Sequence, residues 1–273
     1  MFRSATFALA TMLLVGSLVR AEISRIDTFR VIGYTQTANG ASLALQGAFL
    51  TTAVITTTDD EFTAFDLSYP GPGSPVLVDK VSSTIYRYFS PFLATPADVE
   101  SDYPIGLYTY DGIGGVAGAQ ATVDYNGTFF SDTLPYLEGD NYSALQGMNS
   151  ALSFNFALSP FQPNDESSEA FIFLSVADLT TGTVVFEQNF LPSDTTTITM
   201  PAGTLLNSNT YRYRLVYSGR VNAEGSGSLF APLNAFDIYA EGTFRTAVPE
   251  GSSMLLVGLG IVAGWAGFSR SRS

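Results

Sequence analysis

With 25 acidic residues against 12 basic ones, no histidine and no cysteine, this chain of 273 residues rules out much chemistry at the start. A Ser-His-Asp triad, a Cys-His pair and the usual zinc sites all need residues it lacks. Its net charge of −13 repels phosphate backbones, so nucleic acid is not an expected partner, and its 46% of hydrophobic residues argues against intrinsic disorder.

Taken in order, the chain opens with Met1-Phe2-Arg3, a mostly apolar stretch from Ala5 to Val19, and Val19-Arg20-Ala21. That pattern predicts a signal peptide over residues 1–21, cut by signal peptidase between Ala21 and Glu22. A retained N-terminal anchor is the alternative. Residues 22–246 hold 24 acids and 8 basic residues, a net charge of −16, which gives a self-repelling, soluble exterior. Export without cysteine leaves this part to be held by burial alone.

From Glu22 to Thr246 no long segment has helical periodicity. Short β-branched and aromatic runs alternate with Gly, Pro, Asn and Asp, which predicts strands throughout. Arg25 to Tyr34, Ser42 to Thr57 and Glu61 to Tyr69 come first, before the turn-rich Pro70-Gly-Pro-Gly-Ser-Pro75. Val76 to Val81 and Ser83 to Phe89 follow. A single helical turn capped by Thr95 is expected among the three prolines of 90–104. Ile105 to Tyr110, Ala119 to Tyr125 and Thr128 to Phe130 complete a β-rich domain over 22–130, and 131–144 reads as a connection. Gly112-Ile-Gly-Gly-Val-Ala-Gly118 precedes a strand and carries no basic residue, so it predicts a hairpin turn and not a dinucleotide site.

The second half alternates more strictly. Phe154, Phe156 and Leu158 share one face, Phe171 to Val176 is apolar on both faces like a central strand, and Thr183 to Phe190 returns as its partner. Thr195 to Met200, Thr210 to Ser218 and Phe236 to Phe244 follow, with Tyr211, Tyr213, Leu215 and Tyr217 pointing one way. The fold class is therefore all-β, with one or two antiparallel β-sandwich units. The strand rhythm, with Pro201-Ala-Gly-Thr-Leu205 ahead of Tyr211, resembles Ig-like or fibronectin-like modules over 145–246.

After Val248-Pro249-Glu250 the run Met254 to Phe268 carries no charge. Its side chains Met254, Leu255, Leu256, Val257, Leu259, Ile261, Val262, Trp265 and Phe268 point all around a helix, and with Ser252 and Ser253 it reaches the shortest usual transmembrane length, about 17 residues. Arg270 and Arg272 just beyond favour the cytoplasmic side, which puts the rest of the chain outside. Val-Pro-Glu, then an apolar helix over 252–268, then an arginine-bearing end, resembles the PEP-CTERM sorting signal of bacterial envelope proteins, here at 248–273. It departs from that pattern at Gly251, where the family usually has a second proline. The resemblance implies recognition by an exosortase-type membrane protease that cuts near the motif.

For chemistry inside the domain, a carboxylate pair is what remains, with Glu138 and Asp140, or Asp98, Glu100 and Asp102, as candidates. The plainer reading of these acids is solvated surface. No cofactor is expected; calcium is the alternative, at Asp59-Asp60-Glu61, Asp98/Glu100/Asp102 or Asp165-Glu166 with Glu169, none of which has the EF-hand spacing. Tyr103, Tyr108, Tyr110, Tyr125, Tyr136 and Tyr142 are expected to pack across the sheet, with stacking on sugars as the alternative. The expectation is a non-enzymatic exported protein, held at least transiently in the membrane and then displayed on the cell surface or in an exopolysaccharide matrix. A glycan-active hydrolase and an uncut single-pass membrane protein are the competing readings.

Overall fold

The computed structural model describes residues 22–247, apart from 60, 116–118, 126–129, 132, 166, 223 and 227–231. The expected signal peptide (1–21, with Ala21) and the sorting signal (248–273) lie outside the described residues. Among the described residues no helix is long and apolar enough to cross a membrane.

The first strands, β1 (Ile23–Gln36) and β2 (Leu43–Thr56), form one long antiparallel ladder. Then come β3 (Ala64–Ser68), β4 (Val76–Lys80), β5 (Ile85–Phe89), helix α1 (Pro96–Asp102), β6 (Gly106–Ile113) and β7 (Gln120–Tyr125). After helix α2 (Asn141–Leu145) follow β8 (Phe154–Ala157), β9 (Glu169–Asp178), β10 (Val184–Pro192), β11 (Thr197–Met200), β12 (Thr210–Asn222), β13 (Glu224–Ser226) and β14 (Leu233–Arg245). Twelve strands join in one sheet, in the order β10-β9-β12-β14-β1-β2-β5-β4-β3-β6-β7-β13, while β11 and β8 pair separately.

The expectation of antiparallel units needs one correction. β1 and β14 run parallel, from Asp27↔Leu233 to Thr35↔Glu241, so the sheet is mixed. A parallel pair requires a long crossover, and here nearly the whole described chain lies between the two strands.

The sheet curls at its N-terminal end. Thr28 of β1 and Thr52 of β2 hydrogen-bond to Tyr110 of β6, although β6 is five places from β1 in the strand order. The ladder Glu224↔Asp124 to Ser226↔Thr122 then brings the chain leaving β12 back against β7. Hydrogen bonding thus runs from β14 through β1 and around to β7 and β13, the short strand that follows β12 in the chain. This curl encloses one core, built on Phe62, Phe65, Tyr86, Tyr108, Tyr110 and Tyr125. A second core fills the space between β10-β9-β12-β14 and the β8–β11 pair, around Phe156, Leu174, Val176, Tyr213 and Leu215.

Both cores use the same face of β14: Ile238 belongs to the first and Phe244 to the second. Strand alternation therefore sends Asp237, Tyr239 and Glu241 to the opposite face. Arg214, Val216 and Ser218 of β12 lie on that face too, opposite Tyr211, Tyr213, Leu215 and Tyr217.

Helix α1 has its local signals in place. Thr95 caps it, Asp98 closes the capping box and Pro96 opens it. Helix α2 has no side-chain cap of its own; Asn39 reaches it from the turn between β1 and β2.

Candidate functional site

The outward face of β9, β12, β14 and β1 is organised in rows by strand register. One row runs Glu169–Arg220–Ala235–Phe29, the next Phe171–Ser218–Asp237–Val31 and the third Phe173–Val216–Tyr239–Gly33. A fourth aligns Ser175, Arg214, Glu241 and Thr35. Arginines, carboxylates and aromatic rings are thus interleaved at the two-residue step of a strand.

Strand β10 supplies the rim. Its register against β9 breaks between Gln188 and Leu191, and Phe190 takes φ 56°. That conformation is strained for a bulky residue and costs on the order of 1–3 kcal/mol. It turns the ring onto Phe173, centroids 5.0 Å apart, and Phe171, 5.6 Å. The Arg220 guanidinium lies over Phe171 at 4.7 Å and Phe190 at 5.2 Å. Further along β12, Arg214 stacks on Tyr239 at 4.5 Å and donates to Glu241 at 2.9 Å. Gly33 makes room for that ring: a Cβ there would sit 2.3 Å from the tyrosine oxygen.

These side chains border a groove of about 360 Å³, lined among others by Phe29, Phe173, Glu187, Asn189, Arg214 and Asp237. Burial pushes the Asp237 carboxyl up to about 6, against the opposing pull of a Ser218 hydrogen bond and the Arg220 charge. Asp237 Oδ1 and Arg220 Nε make no hydrogen bond among the described residues. Buried unpaired polar atoms cost about 1–3 kcal/mol each. On the adjacent strand β1, burial also raises Asp27, while Arg25 at 2.6 Å and the charge of Arg220 act in the other direction. Arg220 therefore stands under the influence of two raised carboxylates. The groove can accept and donate hydrogen bonds beside flat apolar rings, and within it the Ser218 hydroxyl hydrogen-bonds to the Asp237 carboxyl.

A second cleft, of about 300 Å³, lies where the two cores meet, with Gln36, Tyr142, Arg212 and Glu241 in its lining. Gln36 is buried and belongs to the architecture. Its Oε1 accepts from Leu137 N–H at 2.9 Å and Tyr213 O–H at 2.6 Å, and its Nε2 donates to the carbonyls of Ala38, Gly40 and Leu137.

The acids singled out from sequence go elsewhere. Asp98 is spent on the α1 capping box, Asp59 accepts from Ser83, Glu61 from Thr58 and Asp140 from Asn39. Glu169 lies 3.8 Å from Arg220. Asp60 and Glu166 are outside the described residues, and among the described residues no group of three or more His, Cys, Asp or Glu could hold a metal ion. Tyr103, Tyr108, Tyr110 and Tyr125 are buried in the first core, as expected of rings packed across the sheet, and do not offer the alternative of stacking on sugars, while Tyr136 and Tyr142 are partly buried. Glu22, the expected mature start, is exposed, and its carbonyl accepts from Thr57 N–H. The remaining sorting residues, Val248 to Glu250, Met254 to Phe268, Arg270 and Arg272, are outside the described residues.

Sequence reasoning passed over Phe171, Phe173, Phe190, Arg220 and Asp237. One signal was present in Tyr211-Arg-Tyr-Arg-Leu-Val-Tyr-Ser-Gly-Arg220, where a buried tyrosine face implies an arginine face opposite it. No family model matches this chain, and comparison with curated proteins returns no match.

Proposed function

We propose that the chain is an exported bacterial envelope protein, sorted through residues 248–273 by an exosortase-type protease and displayed on the cell surface or in its matrix, where it has a structural and adhesive role without catalysis. The observation that carries the binding role is the groove across β9, β12 and β14, a solvent-facing array of arginine, carboxylate and aromatic side chains. The finer fold reading, a fibronectin-like module in the C-terminal half, draws on two features. Strands β10-β9-β12-β14 face β8 and β11, with a bridge from Leu137 to Leu158 extending the smaller layer. The Tyr211 hydroxyl accepts from Leu206 N–H at 2.7 Å, a tyrosine corner like that of Ig-type sandwiches.

The test of sorting is deletion of residues 248–273, followed by cell fractionation and intact-mass measurement. The expected result is a full-length precursor whose mature form ends near Pro249-Glu250, and a truncated form that loses its surface location. Unchanged location and unchanged mature mass overturn the proposal, and a mature C-terminus retaining Arg272 favours the uncut single-pass alternative. The hydrolase alternative draws on Asp237, whose raised carboxyl suits a general acid. Loss of a measured sugar-cleaving activity in Asp237→Asn would favour it.

A further inference from the structure

We infer that the groove between β10, β9, β12 and β14 is a binding site for a neutral, hydroxyl-rich ligand, a sugar unit stacked on Phe190 and held by Asp237 and the arginines beside it. This deepens the adhesive reading proposed above by naming its ligand class.

Charge decides against the other small ligands. Arg214 is matched by Glu241 at 2.9 Å and Arg220 by Glu169 at 3.8 Å, with Glu187 and Asp237 also on the groove wall. A polyanion meets the two carboxylates of the wall, and a polycation meets the two guanidinium groups. A hydroxyl donates and accepts at once, which is what a carboxylate beside a guanidinium requires. The flat element is present too: Phe190 is 57% exposed although apolar, and its ring packs against Phe173 and Arg220, which line the groove beside Asn189. The positive φ of Phe190, together with the unpaired Asp237 Oδ1, puts local strain and an unmet hydrogen bond at one place on an otherwise regular face.

A peptide strand would dock differently, by adding to the open edge of β10. The register break between Gln188 and Leu191 interrupts that edge where a new ladder would form. The face of the groove, not the edge, is the favoured surface.

The experiment uses the full-length chain in a detergent without a sugar headgroup, titrated by calorimetry with cellohexaose, maltohexaose, a mannohexaose, an oligogalacturonate and an unstructured polar peptide. At least one neutral hexamer is expected to bind, with Phe190→Ala and Asp237→Asn each weakening it about tenfold or more. Leu107→Ala, on the exposed side of β6, should leave binding unchanged. Thermal unfolding of each variant separates lost binding from lost structure, and Asn189→Ala replaces any variant that fails to fold. Absence of binding by every neutral hexamer, preference for the galacturonate or the peptide, or affinity that survives both groove variants overturns the inference. Export is read by location and mass, so the two proposals fail independently.

Discussion

In the N-terminal core Tyr110 and Tyr125 turn their hydroxyls toward each other and toward Thr28 and Thr52, deep inside the curl. In the C-terminal core Tyr211 and Tyr217 carry theirs outward to the main chain, at Leu206 and Ser159, and Tyr213 carries its own to Gln36. The same residue type serves two designs. A central cluster of hydroxyls satisfies itself only when every member is present, and low surrounding polarity raises the cost of any gap. Hydroxyls spent at the margin instead tie loops to strands, one at a time. Burial drives the phenols of Tyr110 and Tyr125 upward in the first core and those of Tyr213 and Tyr217 in the second, Tyr217 to about 12, which keeps these four neutral throughout the ordinary pH range. Arg30 deepens the contrast: it is buried in the first core, over the rings of Tyr125 and Phe236, and its Nη1 makes no hydrogen bond among the described residues.

Gln36 bridges the two designs, and breaking it has the largest expected effect. Gln36→Ala leaves Leu137 N–H and the Tyr213 hydroxyl without their acceptor, along with the carbonyls that Nε2 served. At about 1–3 kcal/mol for each buried group left unpaired, the loss should reach about 3–5 kcal/mol in urea unfolding. Two separate transitions in place of one would show that the cores also lose their coupling.

The outer face offers a prediction of opposite sign. Burial holds the Asp237 carboxyl near 6 in the folded chain, above its ordinary value of 3.8. The folded state therefore takes up the proton first as pH falls, so stability rises on acidification from about 6 to about 4, and the ionised group is a burden above that window. Asp237→Asn removes the burden. The variant should be more stable than the parent by about 2–3 kcal/mol at pH 7.5, with the difference vanishing toward pH 4. Equal stability at both values would mean that the carboxylate is solvated after all. Gained stability alongside weakened sugar binding would mark a group kept for function at a cost to the fold.

A paired substitution then tests the cores directly. Tyr125→Phe removes one hydroxyl from the central cluster and should cost about 1–3 kcal/mol, since Thr28 and Tyr110 lose a partner together. Tyr211→Phe leaves only Leu206 N–H without its acceptor and should cost about 1–2 kcal/mol. A double-mutant cycle of Tyr125→Phe with Thr52→Val should show coupling, and one of Tyr125→Phe with Tyr211→Phe should be additive.

The strands were legible because alternation is local. Tyr211, Tyr213, Leu215 and Tyr217 sit on one face of β12 as their spacing implies, and β9 lies between β10 and β12 as its apolar run suggested. The pairing of β1 with β14 was not legible, because parallel partners so far apart in sequence leave no turn signal to read. The groove was hidden for a related reason. Asp237, Arg220 and Phe190 come from three strands, and the raised carboxyl arises from burial that only the assembled sheet creates. The positive φ of Phe190 leaves no compositional mark either, since a phenylalanine there contradicts the usual preference for glycine.

The two helices give the smallest test, on the same contrast between local and distant support. Thr95 Oγ1 accepts from Asp98 N–H at 3.3 Å, and Asp98 Oδ2 accepts from Thr95 N–H at 2.9 Å, so α1 carries its start signal within four residues. In α2 the Ser143 N–H is received at 2.8 Å by Asn39, 104 positions earlier. Thr95→Ala should lower stability by about 1 kcal/mol, and protection from hydrogen exchange should fall around Val99 and Tyr103 alone. Asn39→Ala should cost a similar amount, but exchange should rise in two places, at α2 and in the turn between β1 and β2, because one side chain serves both. If Asn39→Ala loosens only its own turn, α2 is held by the burial of Leu145 in the second core and its distant cap is incidental.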